Sequence, residues 1–353
     1  MILTSLFVHR YHRHPWKTLT SIRYNHTAIT TPIRPVCYVY DVGLIPYMTA
    51  WSWQQQLINN RISTSTTPIV QEQLNTSTNT HNPILTHDTQ QHKNIILMLE
   101  HPSVYTLGRA ATINHLLWNN TTSTTAETTS ISSSSSSTSV SYESVAQSTD
   151  ISTKALPGPD GSEVYRVERG GKVTYHGPGQ LIIYPILNLR EFKQDLHWYV
   201  TCIEEIIIQI LQYYHIKGER SKGYPGVWVN DRKIAAVGMA CSKWYTYHGL
   251  ALNIYPNMNY FQKIIPCGID DKEVTSLQLE LERIAKQKNC TITEYLQQIN
   301  RLPIHNNNNN PLNNNNNLLF PLTLEDIKPV ALEAIKQVLQ CDLISVDKGK
   351  SPI

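Results

Sequence analysis

Apolar positions in this chain gather in short runs, separated by long neutral polar stretches. Ile95 to Leu99 is an unbroken apolar run ending at Glu100, the pattern of a buried strand. Val104 to Leu107 predicts a second short strand, closed by Gly108. Gln180 to Leu187 (QLIIYPIL) predicts a third, rich in β-branched residues; Pro185 places its far end at an edge or a bulge. From Asp195 the period changes. Leu196, Val200, Ile203, Ile207, Ile210 and Tyr214 recur at helical spacing, with Asp195 as the N-cap and Gly218 beyond the end. Val227 to Val229 and Lys233 to Val237 flank Asn230, Asp231 and Arg232 and predict a hairpin. Tyr245 to Ile254 reads as a further strand. Thr291 to Glu294 (TITE) and Thr323 to Asp326 (TLED) each have the form of a capping box that opens a helix. Strands and helices interleave, so the class is α/β or α+β around one sheet.

The polar stretches read as solvated insertions in a smaller fold. Residues 55–92 are rich in Gln, Asn and Thr. Residues 113–160 hold a Ser/Thr tract with six consecutive serines, Ser132 to Ser137. Residues 304–320 hold two asparagine runs, Asn306 to Asn310 and Asn313 to Asn317. Surface loops take such insertions at small entropic cost. Setting them and the first 36 residues aside leaves about 214 of 353 residues, the size of one domain. The expected layout is a leader over residues 1–36 and one folded domain over 37–345.

Composition narrows the class. Hydrophobic residues make up 41% of the chain and charged residues only 16%, against about 25% in ordinary domains. No apolar run reaches the roughly 18 residues of a membrane-spanning helix. The six cysteines stand singly with no CxxC pair, which argues against a disulfide framework or a zinc ribbon and fits a reducing compartment. The net charge is +3, but residues 1–40 carry Arg10, Arg13, Lys17, Arg23 and Arg34 and no acid, leaving −2 for the remainder. A basic, acid-free start mixing apolar and hydroxyl residues is the composition of a mitochondrial transit peptide; a nucleic-acid-binding arm or a merely disordered start is the other reading. The basicity is better read as an address than as a binding surface.

Three segments concentrate chemistry. Arg169 to Gln180 reads RGGKVTYHGPGQ, a tight glycine loop that lets a ligand approach the backbone, or an ordinary turn between strands. It is neither a phosphate loop nor a dinucleotide fingerprint. Asp231 to Gly238 reads DRKIAAVG; Lys233 there offers a cation to an anionic partner, or snorkels into water. Ile264 to Ile269 reads IIPCGI and sets Cys267 on a turn, as an exposed nucleophile or a small core thiol. Together they supply a nucleophile, a cation and a glycine-lined pocket, the parts of covalent acyl transfer.

These segments resemble a known family. RGGKVTYHGPGQLIIY from Arg169 to Tyr184 is similar to the signature of the lipoyl(octanoyl) transferases. EHPSVYTLGR from Glu100 to Arg109, KIAAVG from Lys233 to Gly238 and YHGLALN from Tyr247 to Asn253 resemble further blocks of it. Pro266, Cys267 and Gly268, followed by Val274 to Leu277, resemble its nucleophile block. The blocks stand in the family's order over roughly residues 95–280, and the polar insertions fall between or outside them.

The resemblance implies a single α/β domain around a mixed sheet, like the biotin- and lipoate-protein ligases. It implies an octanoyl group moved from octanoyl-acyl carrier protein to a lysine of lipoyl domains, in 2-oxoacid dehydrogenase complexes and the glycine-cleavage H protein. No cofactor, no nucleic acid and no membrane span enter that picture; a mitochondrial-matrix monomer is expected. Carried over, Cys267 is the acyl-thioester nucleophile and Lys233 the cation that favours its thiolate. Lys233, or else His176, takes the acceptor's proton. Arg169, Gly170, Gly171, Lys172, Val173, Thr174, Tyr175, His176, Ala236, Val237, Gly238, Gly249, Leu250 and Ala251 line the acyl substrate. Two alternatives stand beside it: an ATP-dependent lipoate or biotin ligase of the same fold, and a non-catalytic binder of carrier or lipoyl domains.

Overall fold

The computed structural model describes residues 34–64, 93–118, 155–268, 272–302, 322–347 and 350–353. In chain order the strands are β1 (Val36–Leu44), β2 (Asn94–Glu100), β3 (Val104–Leu107), β4 (Leu156–Pro157), β5 (Glu163–Arg166), β6 (Val173–His176), β7 (Gln180–Ile186), β8 (Glu219–Ser221), β9 (Tyr224–Val229), β10 (Arg232–Ser242), β11 (Tyr245–Asn253) and β12 (Asp342–Ser345). The helices are α1 (Tyr47–Thr64), α2 (Leu196–Tyr213), α3 (Leu277–Gln287), α4 (Ile292–Gln298) and α5 (Leu324–Leu339). Eight strands form one mixed sheet in the order β12-β1-β2-β7-β11-β10-β9-β8, parallel only at β12/β1 and β1/β2. A smaller sheet runs β4-β5-β3-β6.

Alternation along the central strands covers both faces of the large sheet. Ile96, Met98, Leu181 and Ile183 pack with Ile203, Ile207 and Ile210 of α2 and Ile327, Ala331 and Ile335 of α5. Ile95, Leu97, Leu99 and Ile182 face Ala50, Leu57 and Ile58 of α1. The expected caps form. Asp195 accepts from the Trp198 N–H at 3.0 Å. Thr291 and Glu294 close one box, and Asp326 accepts from the Thr323 N–H in the other.

Several expectations need correction. Residues 55–64 are helical, not loop. The buried stripe of α1 is Tyr47, Ala50, Gln54, Leu57, Ile58 and Arg61. Its spacing is helical, but two of its members are polar, and each is held by bonds apolar residues never need. Arg61 donates to the carbonyls of Ile186 and Lys93, and burial lowers its pKa to about 10. The insertion read over 113–160 is narrower as well: Leu116 is buried and bridges to Ile264, and Leu156 lies in β4. The asparagine-rich stretch 304–320 and the leader up to residue 33 lie outside the described residues. Arg34, counted with the leader, donates to the Lys336 and Gln340 carbonyls at the end of α5.

Pro185 is not at an edge, since β7 lies between β2 and β11. Nor is it at a bulge: the register with β11 is the same on both sides, Leu250 opposite Ile183 and Tyr245 opposite Asn188, although the ladder between them is interrupted. Regular pairing with β11 stops at Leu250–Ile183. Thr246 then takes over: its hydroxyl donates to Pro185 O at 2.9 Å, and its N–H donates to Leu187 O at 2.9 Å. The hairpin loop is two residues rather than three, with Asn230 and Asp231 at φ +47° and +64° and Arg232 already paired to Val229.

Ile207 is fully buried between α2 and the sheet. Ile207→Ala is expected to cost about 2–4 kcal/mol, because a cavity is left where the core cannot collapse. Urea unfolding checks this as a lower midpoint with an unchanged slope.

Candidate active site

The register of β9 against β10 slips between Lys233 and Ala235, leaving Ile234 as the extra residue of a bulge. Lys233 is 5% exposed. Its ammonium donates to Pro225 O at 2.7 Å and to Cys267 Sγ at 3.0 Å, and lies 5.4 Å from the centre of the Trp228 ring. Gly226 makes the room: a Cβ there would fall 2.8 Å from Lys233 Cε and 2.4 Å from Ala235 O. Cys267 comes from the turn Pro266–Gly268, in left-handed backbone at φ +55°. The chain beyond it is tied back to the lysine. The Lys233 N–H donates to Glu273 O and the Thr275 N–H donates to Lys233 O, both at 2.8 Å.

Lys233 and Cys267 line a cavity of about 430 Å³, within the roughly 300–1,000 Å³ of ligand pockets. Its wall is mostly small and apolar: Val200, Ala236, Val237, Gly238, Met239, Gly249, Leu250 and Ala251. The glycine loop supplies Arg169, Gly170, Gly171, Lys172, Thr174 and His176. Three segments distant in sequence are thus brought to one space. Two expected residues are not there. Val173 and Tyr175 alternate with Thr174 and His176 along β6 and point the other way, into a cluster with Tyr105, Leu107 and Phe261. The loop sits tight on β3, since a Cβ on Gly108 would fall 2.4 Å from Gly171 O.

Arg169 is buried, and burial lowers its pKa. It donates to Thr106 O at 2.7 Å, to Thr106 Oγ1 at 2.8 Å and to Gly170 O at 3.0 Å. No carboxylate among the described residues lies within ion-pairing distance of it, and none lines the cavity.

The family profile "Lipoyl protein ligase A/B catalytic domain" matches residues 149–300. An octanoyltransferase of Nostoc punctiforme is 38% identical over 246 residues, 70% of this chain and 80% of its own. The chain belongs to the octanoyltransferase family. It is accordingly an acyltransferase. An octanoyltransferase of Gloeobacter violaceus is 36% identical over 233 residues, covering 66% and 76% of the two chains. A chloroplastic octanoyltransferase of Arabidopsis thaliana is 36% identical over 256 residues, covering 72% and 69%. Among solved structures, a lipoate-protein ligase A bound with ATP overlaps loosely, with a TM-score of 0.46 at 8% identity over 91% of each chain.

The octanoyltransferase cavity also holds Tyr47, Tyr224, Pro225 and Met239, which lie outside every quoted block, and Tyr184 and His248, which lie in blocks but were given no place in the site. Tyr47 stacks over His176 with ring centroids 6.3 Å apart, and its hydroxyl finds no partner among the described residues. Tyr184 donates to His101 Nε2 at 2.9 Å, because His101 Nδ1 must carry the proton that bonds Ile45 O. His176 is fixed likewise. Its Nδ1–H donates to Gln180 Oε1 at 2.8 Å, the Gln180 amide being committed to Asn253 Oδ1.

Burial drives both imidazoles towards the neutral form. It brings His101 down to about 4. Burial, with His101 and Arg169 nearby, brings His176 down to about 3. A proton therefore binds these rings in the unfolded chain before it binds them in the fold. Stability should be full above the unfolded histidine range near pH 6.5. It should fall, by up to about 1.4 kcal/mol per pH unit for each ring, as the pH drops from there towards 4. Urea midpoints at pH 7 and pH 5 check this. His176→Gln should shrink the difference.

Proposed function

We propose that this octanoyltransferase takes an octanoyl group from octanoyl-acyl carrier protein, holds it as a thioester on Cys267, and passes it to the target lysine of lipoyl domains. The observation that carries the reading is the Lys233 ammonium 3.0 Å from Cys267 Sγ at the edge of an apolar cavity. Only the thiolate attacks a thioester well, and a cation beside the sulfur favours it. The thiolate adds to the donor carbonyl. As that bond forms, the donor's C–S bond breaks, and the departing sulfur takes a proton from Lys233. The small apolar wall from Ala236 to Met239 and from Gly249 to Ala251 suits an unbranched acyl chain. Arg169 offers positive charge without a carboxylate of its own, suited to the oxygen on which charge builds. Thioester-to-amide transfer runs downhill, so the reading requires no ATP.

The lipoyl domains of 2-oxoacid dehydrogenase complexes and the glycine-cleavage H protein are the acceptors in this reading, which follows the motif resemblance and the names of the relatives. The address is organellar. The acid-free basic composition of residues 1–33 supports the mitochondrial matrix, while the Arabidopsis thaliana relative is chloroplastic.

Enzyme mixed with octanoyl-acyl carrier protein should gain one octanoyl group by mass, on Cys267 and labile to hydroxylamine. Cys267→Ala should gain none, and Lys233→Met should load about 10²-fold more slowly. An adduct that persists in Cys267→Ala, no adduct in the wild type, or acceptor modification that needs ATP would overturn the assignment.

A further inference from the structure

The Lys233–Cys267 pair leaves one part of the cavity wall unexplained, and it centres on His248. This residue stands in the middle of β11 at φ +58°, left-handed backbone that side chains rarely adopt. The ladder to β7 is interrupted there, and the His248 N–H donates instead to Gln54 Oε1 of α1, at 2.7 Å. The strained backbone aims the ring at Glu168. His248 Nε2 lies 3.2 Å from Glu168 Oε1, off the line of an ideal hydrogen bond. Both side chains are buried, at 2% and 6% exposure.

Glu168 is held as a carboxylate. Burial raises its pKa, but the neighbouring His248 and the Trp51 N–H, which lies 3.1 Å from each oxygen, outweigh it and leave the group below its ordinary range. Gln55 donates to it as well. A buried carboxylate facing an imidazole is costly to build, and it is worth building where an imidazolium must form. With Nε2 turned to Glu168, the nitrogen left for a substrate in the cavity is Nδ1.

The reaction needs such a group. An acceptor lysine arrives as an ammonium and cannot attack until it loses a proton. Lys233, having given one proton to the donor's sulfur, can take back only one of the two protons the acceptor must lose, and it stays tied to Pro225 O. His101 and His176 are driven neutral by burial and, among the described residues, face no carboxylate. His248 does.

We propose that His248 is the base that takes the first proton from the acceptor lysine, with Glu168 as the positioning residue that orients and charge-balances the ring. The inference rests on octanoyl transfer through Cys267. The acceptor ammonium gives one proton to His248, which passes it to water. The neutral amine then forms a C–N bond to the acyl carbon. The C–S bond breaks with its electron pair returning to Cys267, and the second amine proton goes to Lys233. That restores the thiolate–ammonium pair, and one proton per turnover reaches solvent.

The test uses acyl-enzyme preloaded from octanoyl-acyl carrier protein and discharged by two nucleophiles: a lipoyl-domain lysine, and hydroxylamine, an amine already neutral near pH 7. His248→Ala should slow discharge to the lysine about 10²-fold while discharge to hydroxylamine stays within about threefold of wild type. Equal losses for both nucleophiles, no loss with the lysine, or a folded variant that cannot be loaded would overturn the proposal. Should His248→Ala fail to fold, Glu168→Gln carries the same test. It should show a selective loss of about tenfold that Glu168→Asp partly restores, and wild-type transfer by Glu168→Gln would contradict the proposal. A wild type that never loads would instead remove the underlying reading of Cys267.

Discussion

An ammonium taken almost wholly out of water is the constraint around which this site is arranged. Such a charge is tolerated only when its hydrogens are given partners, because the desolvation it suffers amounts to several kcal/mol. Each partner of Lys233 comes from a different part of the chain. Pro225 offers its carbonyl from the paired strand, Gly226 clears the path, and Cys267 offers its sulfur from the left-handed turn. The Gly226 N–H is fixed in turn by Glu204 of α2, at 2.9 Å. The chain from Glu273 to Thr275 ties the turn to the lysine's own backbone. The bulge, the glycine, the turn and the helix are therefore one device for placing a cation against a sulfur.

The same dry environment sorts the other ionisable groups. Where an imidazole has only neutral partners, as at His101 and His176, burial strips its proton and leaves a ring that orients its neighbours. At His248 the partner is a carboxylate instead, Glu168 Oε1 at 3.2 Å. Arg169 keeps its charge among carbonyl and hydroxyl acceptors from Thr106 and Gly170. Among the described residues the cavity lining thus sets three cations, Arg169, Lys172 and Lys233, and two histidines, His176 and His248, around an apolar trough with no acid, a distribution suited to the charge that would build on a thiolate and a carbonyl oxygen in the proposed transfer.

Much of this was legible in the sequence because local rules and tertiary structure agree. Ile95 to Leu99 and Gln180 to Ile186 read as buried strands and are central ones, and the TITE and TLED boxes open helices where their hydrogen bonds require. Arg169, Lys233 and Cys267 stood out from their glycine-rich or small-residue surroundings, and the fold brings those segments together. Helix α1 was missed because Gln54 and Arg61 occupy its buried stripe, so its apolar period is broken by residues whose partners lie over 30 residues away. Val173 and Tyr175 were placed in the site with their neighbours although the period of a strand sends them to the opposite face. Glu168 and Tyr47 carried no local signal at all. An acid before a glycine loop and a tyrosine opening a polar helix become part of the site only when α1 packs against β6 and β11.

The most direct test of the central claim is the alkylation of the six cysteines by iodoacetamide near neutral pH, followed residue by residue by mass spectrometry. If Lys233 holds Cys267 ready as a thiolate, Cys267 should react first, ahead of the half-buried Cys241 and Cys290. Lys233→Met should slow it about tenfold while leaving the other five unchanged. A Cys267 no faster than Cys241 and Cys290, or one indifferent to the loss of Lys233, would contradict the account.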